Sequence, residues 1–258
     1  RASLQGFSED LSPGDTLIYY HSSHGGWLTG TTDAYLCCHG VSEKYWDFEL
    51  AEDLDLYASG VEIVVIADAC RSGGLFKAPP SRLQSEQSWP FAKNVLLHRR
   101  ARQAKAGALL AAKGPTLGFI TACNYDEFCL AGDPYSLFTH YLLEGFQEAD
   151  EDNDGNVSFY DLYFYAKPLA LNEYSGQEAQ IHNESLLQSL LAFGSSGGSP
   201  PEEGSSVELP DYSPSLSGDG GGCSVSKGEP VYPQGMVLPF LLLLGVSLGR
   251  RLFLLNRG

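Results

Sequence analysis

One stretch of the chain decides its fold: Val61-Glu62-Ile63-Val64-Val65-Ile66-Ala67-Asp68-Ala69-Cys70-Arg71-Ser72-Gly73-Gly74. The first seven residues are mostly apolar and β-branched, which predicts a buried parallel strand, and the glycine pair predicts a tight turn. Cys70 then follows the carboxyl end of that strand. Open α/β sheets hold ligands and reactive side chains at this end, so Cys70 is a candidate nucleophile.

A histidine follows a second predicted strand in the same way. The apolar run from Thr16 to Tyr20 leads into His21-Ser22-Ser23-His24-Gly25-Gly26, so we expect His24 and Cys70 at one edge of the sheet. A free thiol has a pKa of roughly 8.5, and a neighbouring imidazole can take its proton. Gly25 and the N–H of Cys70 are candidates for stabilising an oxyanion. The alternative is a buried structural cysteine beside a hydrogen-bonded turn histidine.

These motifs resemble the caspase-like cysteine peptidases, and within them the bacterial metacaspase-like (orthocaspase) group. The resemblance rests on His24-Gly25 and Asp68-Ala69-Cys70-Arg71-Ser72-Gly73, each after a predicted strand. Residues 118–127 are similar to the strand and turn that follow the catalytic cysteine in this family, and residues 136–145 to its next helix. Arg71 departs from the pattern, because metacaspases usually carry His there.

The resemblance implies a fold and an activity. We expect an α/β chain with a caspase-like three-layer α/β/α sandwich and a mostly parallel sheet over residues 1–194, the first strands of the family's sheet being absent. The implied activity is a cysteine endopeptidase with Cys70 as nucleophile and His24 as proton-transfer partner. Asp68 matches the metacaspase specificity-pocket aspartate, which implies cleavage after Arg or Lys.

Other activities fit the same motifs. A legumain-like peptidase, or a caspase-like peptidase that prefers Asp with Arg71 in its pocket, is one alternative. An inactive binding module stabilised by calcium is another. A panel of peptides that differ only at the residue before the scissile bond separates the peptidase alternatives.

The charge of the chain is strongly negative but unevenly spread. Of 258 residues, 16 are basic and 32 acidic, a net charge of −16 that argues against a nucleic-acid partner. The partner that the resemblance implies is a peptide or protein substrate. Nine of the 16 basic residues lie between Arg71 and Lys113. In the family this connection is a linker that many members cut themselves, so residues 99–105 are candidate cleavage positions. A solvated basic helix is the alternative.

An acidic segment has the spacing of an EF-hand calcium loop. Gly155 is at the sixth position, where the chain must turn sharply, and the asparagine at the seventh can offer its carbonyl. We expect Ca²⁺ here as a structural ion, and no organic cofactor. A plain acidic turn is the alternative. The candidate ligands are Asp150, Asp152, Asp154, Asn156, Ser158 and Asp161.

Cysteine positions leave the disulfide pattern open. A Cys123–Cys129 or a Cys38–Cys123 bridge is compatible with an oxidising compartment, and the sequence does not choose between them or free thiols.

The C-terminal part has a different composition from the rest. Residues 195–235 are rich in Gly, Ser, Pro and Glu and predict a disordered spacer. Residues 236–258 hold an apolar run and the pair Arg250-Arg251, which predicts a hydrophobic anchor or sorting segment that contacts a membrane. Gly222-Cys223-Ser224 is similar to the MYXO-CTERM sorting motif, which implies a location on the cell surface or outer envelope of a bacterium. An incidental Cys before a weak tail anchor is the alternative.

Overall fold

The centre of the fold is a five-stranded sheet. A computed structural model describes residues 2–28, 33–38, 43–76, 114–150, 153–194, 213–214 and 252–257. The strands follow the spatial order β12-β1-β5-β6-β9, and all neighbours are parallel except β6 and β9. The sheet strands are β1 (Thr16–Ser22), β5 (Glu62–Asp68), β6 (Thr116–Thr121), β9 (Gln180–His182) and β12 (Leu252–Arg257).

Helices cover both faces of this sheet. They are α1 (Ala2–Asp10), α2 (Asp47–Leu54), α3 (Leu137–Glu148), α4 (Phe159–Glu173) and α5 (Glu184–Ser189), with a short 3₁₀ helix at Ser72–Leu75. Three smaller ladders complete the described structure. One joins β2 (Gly25–Trp27), β3 (Ala34–Cys37) and β4 (Lys44–Trp46); the others pair β8 (Asn156–Ser158) with β10 (Leu191–Gly194) and β7 (Gly132–Asp133) with β11 (Ser213–Pro214).

Alternation along the strands produces the three layers. Successive side chains of a strand point to opposite faces, and both faces of β1 and β5 are apolar. One face packs against α3, α4 and α5 through a cluster that includes Ile18, Val64, Ile66, Phe138, Leu142, Leu162 and Leu187. The other packs against α1 and α2 through a cluster that includes Leu4, Leu17, Leu50, Leu54, Ile63 and Val65. The predicted α/β class, with a mostly parallel sheet between helical layers, is confirmed.

Two of the helices begin at serine caps. The Ser136 side chain accepts a hydrogen bond from the backbone of Thr139 at the start of α3. At the start of α4, Ser158 and Asp161 form a reciprocal capping box. Local sequence therefore fixes where these helices begin, and the first of them begins close to the predicted segment 136–145.

Part of the C-terminal segment forms an edge strand of the sheet. Within residues 236–258, the predicted anchor or sorting segment, Leu252–Arg257 form β12, which pairs with β1 from Thr16 to His21. The physical reason is that an edge strand presents unpaired N–H and C=O groups, which an apolar extended segment can satisfy. Within the described part of the chain, no helix combines the length and apolarity needed to cross a membrane.

Several sequence predictions lie outside the described residues. They are the candidate cleavage segment 99–105, most of the 195–235 spacer, the apolar run before Leu252, the Gly222-Cys223-Ser224 motif and the candidate ligand Asp152.

Candidate active site

The register of β1 and β5 brings His24 and Cys70 together. The two strands are parallel neighbours with Ser22 opposite Asp68, and the Ser23 N–H donates to the Asp68 carbonyl at 3.1 Å. His24 and Cys70 each lie two residues beyond this pair, at the same edge of the sheet. His24 is half-buried, whereas the Cys70 residue is only 8% exposed.

Gly25 packs directly on the backbone of Cys70. A Cβ atom at this position would overlap the Cys70 carbonyl oxygen and lie 3.1 Å from the Cβ of Ala69. Only glycine fits such a close approach of two backbones. The predicted oxyanion residue Gly25 is therefore next to the predicted nucleophile.

A hydrogen-bond relay from His21 holds the backbone of His24. The His24 carbonyl accepts from the Cys37 N–H at 2.8 Å and from Ser23 Oγ at 2.9 Å. His21 Nε2 lies 2.7 Å from Ser23 Oγ and 3.1 Å from the Cys37 carbonyl, and Tyr19 Oη lies 3.2 Å from Nδ1. Because a carbonyl only accepts, this contact places the ring proton on Nε2 and leaves Nδ1 to accept from Tyr19.

Sequence reasoning missed the role of His21. The available signal was its place inside a strand that is apolar on both faces, where a buried histidine requires hydrogen-bond partners. Its exposure of 1% agrees with that requirement.

The turn after Cys70 is fixed by the loop that follows β6. Arg71 adopts a left-handed backbone with φ of 60°, and its N–H donates to the Glu127 carbonyl at 2.9 Å. The Gly73 N–H donates to the Cys123 carbonyl at 2.9 Å, and a Cβ on Gly73 would lie 2.9 Å from the same oxygen. The glycine thus permits the two loops to touch beneath the nucleophile.

Three thiols gather at the base of the site. Cys129 Sγ lies 3.0 Å from Cys123 Sγ, and Cys70 Sγ lies 3.9 Å from the Cys129 carbonyl. The described cysteines, Cys37, Cys38, Cys70, Cys123 and Cys129, form no disulfide, so neither bridge considered from the sequence is present. Burial, reinforced by the hydrogen bond to Cys123, raises the pKa of the Cys129 thiol well above its usual value. Cys129 is therefore a neutral hydrogen-bond donor at neutral pH.

Asp68 lies beneath the site, and only one of its two carboxylate oxygens accepts hydrogen bonds from described residues. Its Oδ2 accepts from Ser136 Oγ, from Thr139 Oγ1 and, at 3.1 Å, from the Thr139 N–H. Its Oδ1 is buried and has no hydrogen-bond partner among the described residues. Burial raises the pKa of the carboxyl, opposed by these hydrogen bonds. A cationic group reaching Oδ1 would be favoured, because it would supply the missing partner.

The acidic loop has the turn that its spacing predicts. Gly155 has φ of 78°, as its place at the sixth position requires, and Asn153 also has a positive φ. The carboxylate of Asp150 accepts the N–H groups of Asp154 and Gly155 at 3.1 and 2.9 Å. Asp161 accepts from Ser158 N and Oγ at 2.8 and 2.6 Å.

These carboxylates thus bind the loop's own donors. Within the described residues, no three His, Cys, Asp or Glu side chains form a group that could hold a metal ion. The calcium site remains a proposal, supported by the backbone conformation and by the spacing of the ligands.

Comparisons with known proteins identify no family. No family model matches the chain, and no curated protein matches it. Among solved structures, one from Geobacter sulfurreducens is similar over 72% of this chain and 74% of its own, with 18% identity and a TM-score of 0.46. At this identity and score the likeness indicates neither a family nor an activity.

Proposed function

We propose that this protein is a cysteine endopeptidase that hydrolyses peptide bonds through Cys70 and His24. The observation that supports the proposal most is the pairing of Ser22 with Asp68, because it sets the two chemically capable residues at one edge of the sheet. The contact between Gly25 and the Cys70 carbonyl adds to it, since it leaves no room for a side chain between the two turns.

In this mechanism His24 takes the proton of the Cys70 thiol, and the thiolate attacks the carbonyl carbon of the scissile bond. Backbone N–H groups at Gly25 and Cys70 stabilise the oxyanion that forms. The intermediate collapses by breaking the C–N bond, and the departing amine takes the proton from His24. Water, activated by His24, then hydrolyses the thioester, releases the acid product and restores the thiol.

The preference we propose is for Arg or Lys before the scissile bond. Support comes from Oδ1 of Asp68, a buried acceptor without a partner among the described residues. A guanidinium or ammonium group forms strong charge-assisted hydrogen bonds with such an oxygen. Binding would also favour the ionised form of Asp68, against the effect of its burial.

The decisive experiment measures cleavage of Arg- and Lys-containing peptides by Cys70→Ala and His24→Ala. Cys70→Ala is expected to abolish cleavage, and His24→Ala to lower kcat/KM at least about 100-fold. Matched controls are Cys38→Ala, which removes a half-buried thiol at the end of β3, and His182→Gln on β9. Both controls are expected to retain activity.

Two outcomes would overturn the proposal. Cleavage by folded Cys70→Ala at the wild-type rate would remove this thiol from the mechanism. Complete inactivity of the folded wild-type chain toward a broad peptide library, with no labelling by a peptidyl chloromethyl ketone, would favour the binding-module alternative.

A further inference from the structure

Arg71 is held in a constrained position beside the nucleophile. Its backbone is left-handed, a conformation that non-glycine residues adopt only when surrounding contacts impose it. Two such contacts are present, because its N–H points to the Glu127 carbonyl at 2.9 Å and to Cys123 Sγ at 3.1 Å. The direction in which the Arg71 side chain leaves the turn is therefore set by the protein.

Two aromatic rings hold the guanidinium group. Its Cζ lies 4.7 Å from the centre of the Trp27 ring and 4.9 Å from the centre of the Phe128 ring. Trp27 is itself stacked on Tyr125, with 6.1 Å between ring centres. Arginine is suited to such a site, because its planar guanidinium stacks on aromatic faces while its N–H donors remain free at the edges.

The guanidinium has no acidic partner in the described part of the chain. No described carboxylate lies within salt-bridge distance of it, and no described acceptor takes its N–H groups. The nearby Glu127 carboxylate is already engaged, since its Oε2 accepts the N–H groups of Asn124 and Glu178 at 2.9 and 2.7 Å. An arginine that is oriented, half-buried and without an acidic partner among the described residues retains the donors needed to bind an anion.

We propose that Arg71 binds a carboxylate on the substrate, supplied by an acidic residue that flanks the scissile bond. The proposal rests on the peptidase function proposed above and refines its substrate class. Asp68 contacts α3, whereas Arg71 contacts the rings of Trp27 and Phe128. Asp68 and Arg71 therefore have separate surroundings, and in this proposal each receives one side chain of the peptide, a basic one at Asp68 and an acidic one at Arg71.

The first test needs no peptide substrate. Iodoacetate and iodoacetamide alkylate a thiolate by the same displacement, in which an S–C bond forms and iodide leaves, but only iodoacetate carries a carboxylate. Mass spectrometry gives the rate at which each reagent alkylates Cys70. Because both reagents react with the same thiolate, the ratio of the two rates does not depend on the thiolate fraction. Arg71→Gln is expected to lower the iodoacetate-to-iodoacetamide ratio about tenfold, the size of a nearby charge interaction in a partly buried site.

Controls isolate the charge and the position of Arg71. Arg71→Lys keeps the charge and is expected to retain most of the ratio, whereas Arg71→Met keeps apolar packing and is expected to lose it. Lys44→Gln removes another cation that lies over aromatic rings, 4.4 Å from the centre of Tyr35, and is expected to leave the ratio unchanged. An unchanged ratio in folded Arg71→Gln or Arg71→Met overturns the proposal. So does a native Cys70 that neither reagent alkylates, because the site would then be closed to anions.

A second test separates this proposal from the peptidase function. Peptides with Asp or Asn at each position flanking a basic residue are compared for kcat/KM in the wild type and in Arg71→Gln. The assignment of Arg71 to a substrate carboxylate is supported if the wild type prefers Asp and Arg71→Gln does not, with most of the change in KM. An equal preference in both proteins overturns it while leaving the peptidase function intact. If no peptide is cleaved, the peptidase function fails and the alkylation ratio alone decides whether Arg71 binds anions.

Discussion

Gly25 and Cys70 touch through their backbones, so closely that a methyl group on Gly25 would overlap the Cys70 carbonyl oxygen. The turn that follows the candidate base is thus seated on the residue that carries the candidate nucleophile. Neither side of this contact can move independently, since each turn is tied to the sheet.

Gly25→Ala is expected to separate the two turns. We expect a destabilisation of about 1–3 kcal/mol, typical of a group forced into a packed site, and a fall in kcat/KM of about 100-fold because the His24–Cys70 geometry is lost. Chemical denaturation and peptide cleavage measure the two effects. Gly6→Ala in α1 is the matched control, since nothing lies within 4 Å of its added Cβ. Wild-type activity in Gly25→Ala would contradict the proposed geometry.

Asp68→Asn is expected to reduce selectivity for a basic residue before the cut. The amide oxygen can still accept from Ser136 and Thr139, but the side chain can no longer carry a negative charge. The measurement compares kcat/KM for a peptide containing Arg with one containing citrulline, its uncharged isostere. The wild type should prefer Arg by about 100-fold and Asp68→Asn by less than about tenfold, the difference expected of a charge-assisted bond. If Asp68 serves only to hold α3, the ratio of kcat/KM for the Arg peptide to that for the citrulline peptide will be the same in the wild type and in Asp68→Asn.

Asp47 gives the stability of the fold a pH dependence. It is the first residue of α2 and is fully buried, and its Oδ2 has no partner among the described residues. Burial raises its pKa from 3.8 to about 7. Between these values the folded state keeps a proton that the unfolded state releases, so the free energy of unfolding falls as pH rises through this range, by on the order of 4 kcal/mol.

Asp47→Asn removes this titration while keeping an oxygen for the Phe48 N–H, which donates to Asp47 Oδ1 at 2.7 Å. The variant should gain stability over the wild type at pH 8 and gain little at pH 4, as measured by urea denaturation. Glu52→Gln, in the same helix and half-buried, is the control and should show no such difference between the two pH values. If Asp47→Asn gained the same stability at both pH values, Asp47 would be excluded as the source of the pH dependence.

Calcium is expected to raise the melting temperature. Carboxylates of the 150–161 loop repel one another without a cation, and a ligand that binds only the folded state stabilises it by mass action. Asp150→Asn combined with Asp154→Asn should remove the rise and leave Cys70 reactive toward a thiol reagent. Glu9→Gln combined with Asp10→Asn removes two exposed acids of α1 and should retain the rise. A wild-type melting curve unchanged at millimolar calcium would identify the segment as an acidic turn.

The sequence predicts well what depends on local pattern. Apolar runs located β1 and β5 to within a residue or two, and the residues that follow them gave the candidate pair His24 and Cys70. The serine cap at Ser136 lies where the predicted helix over residues 136–145 begins. These features are encoded by neighbouring residues, so a single sequence suffices to find them.

Features that depend on distant contacts were not predictable in this way. The relay from His21 through Ser23 requires the carbonyl of Cys37. The position of the Arg71 guanidinium requires one ring from β2 and one from the loop after β6. The pairing of segment 252–257 was not predictable for a different reason. An apolar run is compatible with a strand, a helix or an anchor, and only the open edge of β1 distinguishes among them.

The pairing of β12 with β1 places a C-terminal segment beside the strand that leads to His24. Leu252–Arg257 cannot lie in a lipid phase and complete the sheet at the same time. If β12 left the sheet, through insertion into a membrane or through proteolytic removal, the edge of β1 would be exposed. Such an edge is a template for another extended chain. While β12 is paired, this edge of β1 has no open backbone groups to offer to another extended chain.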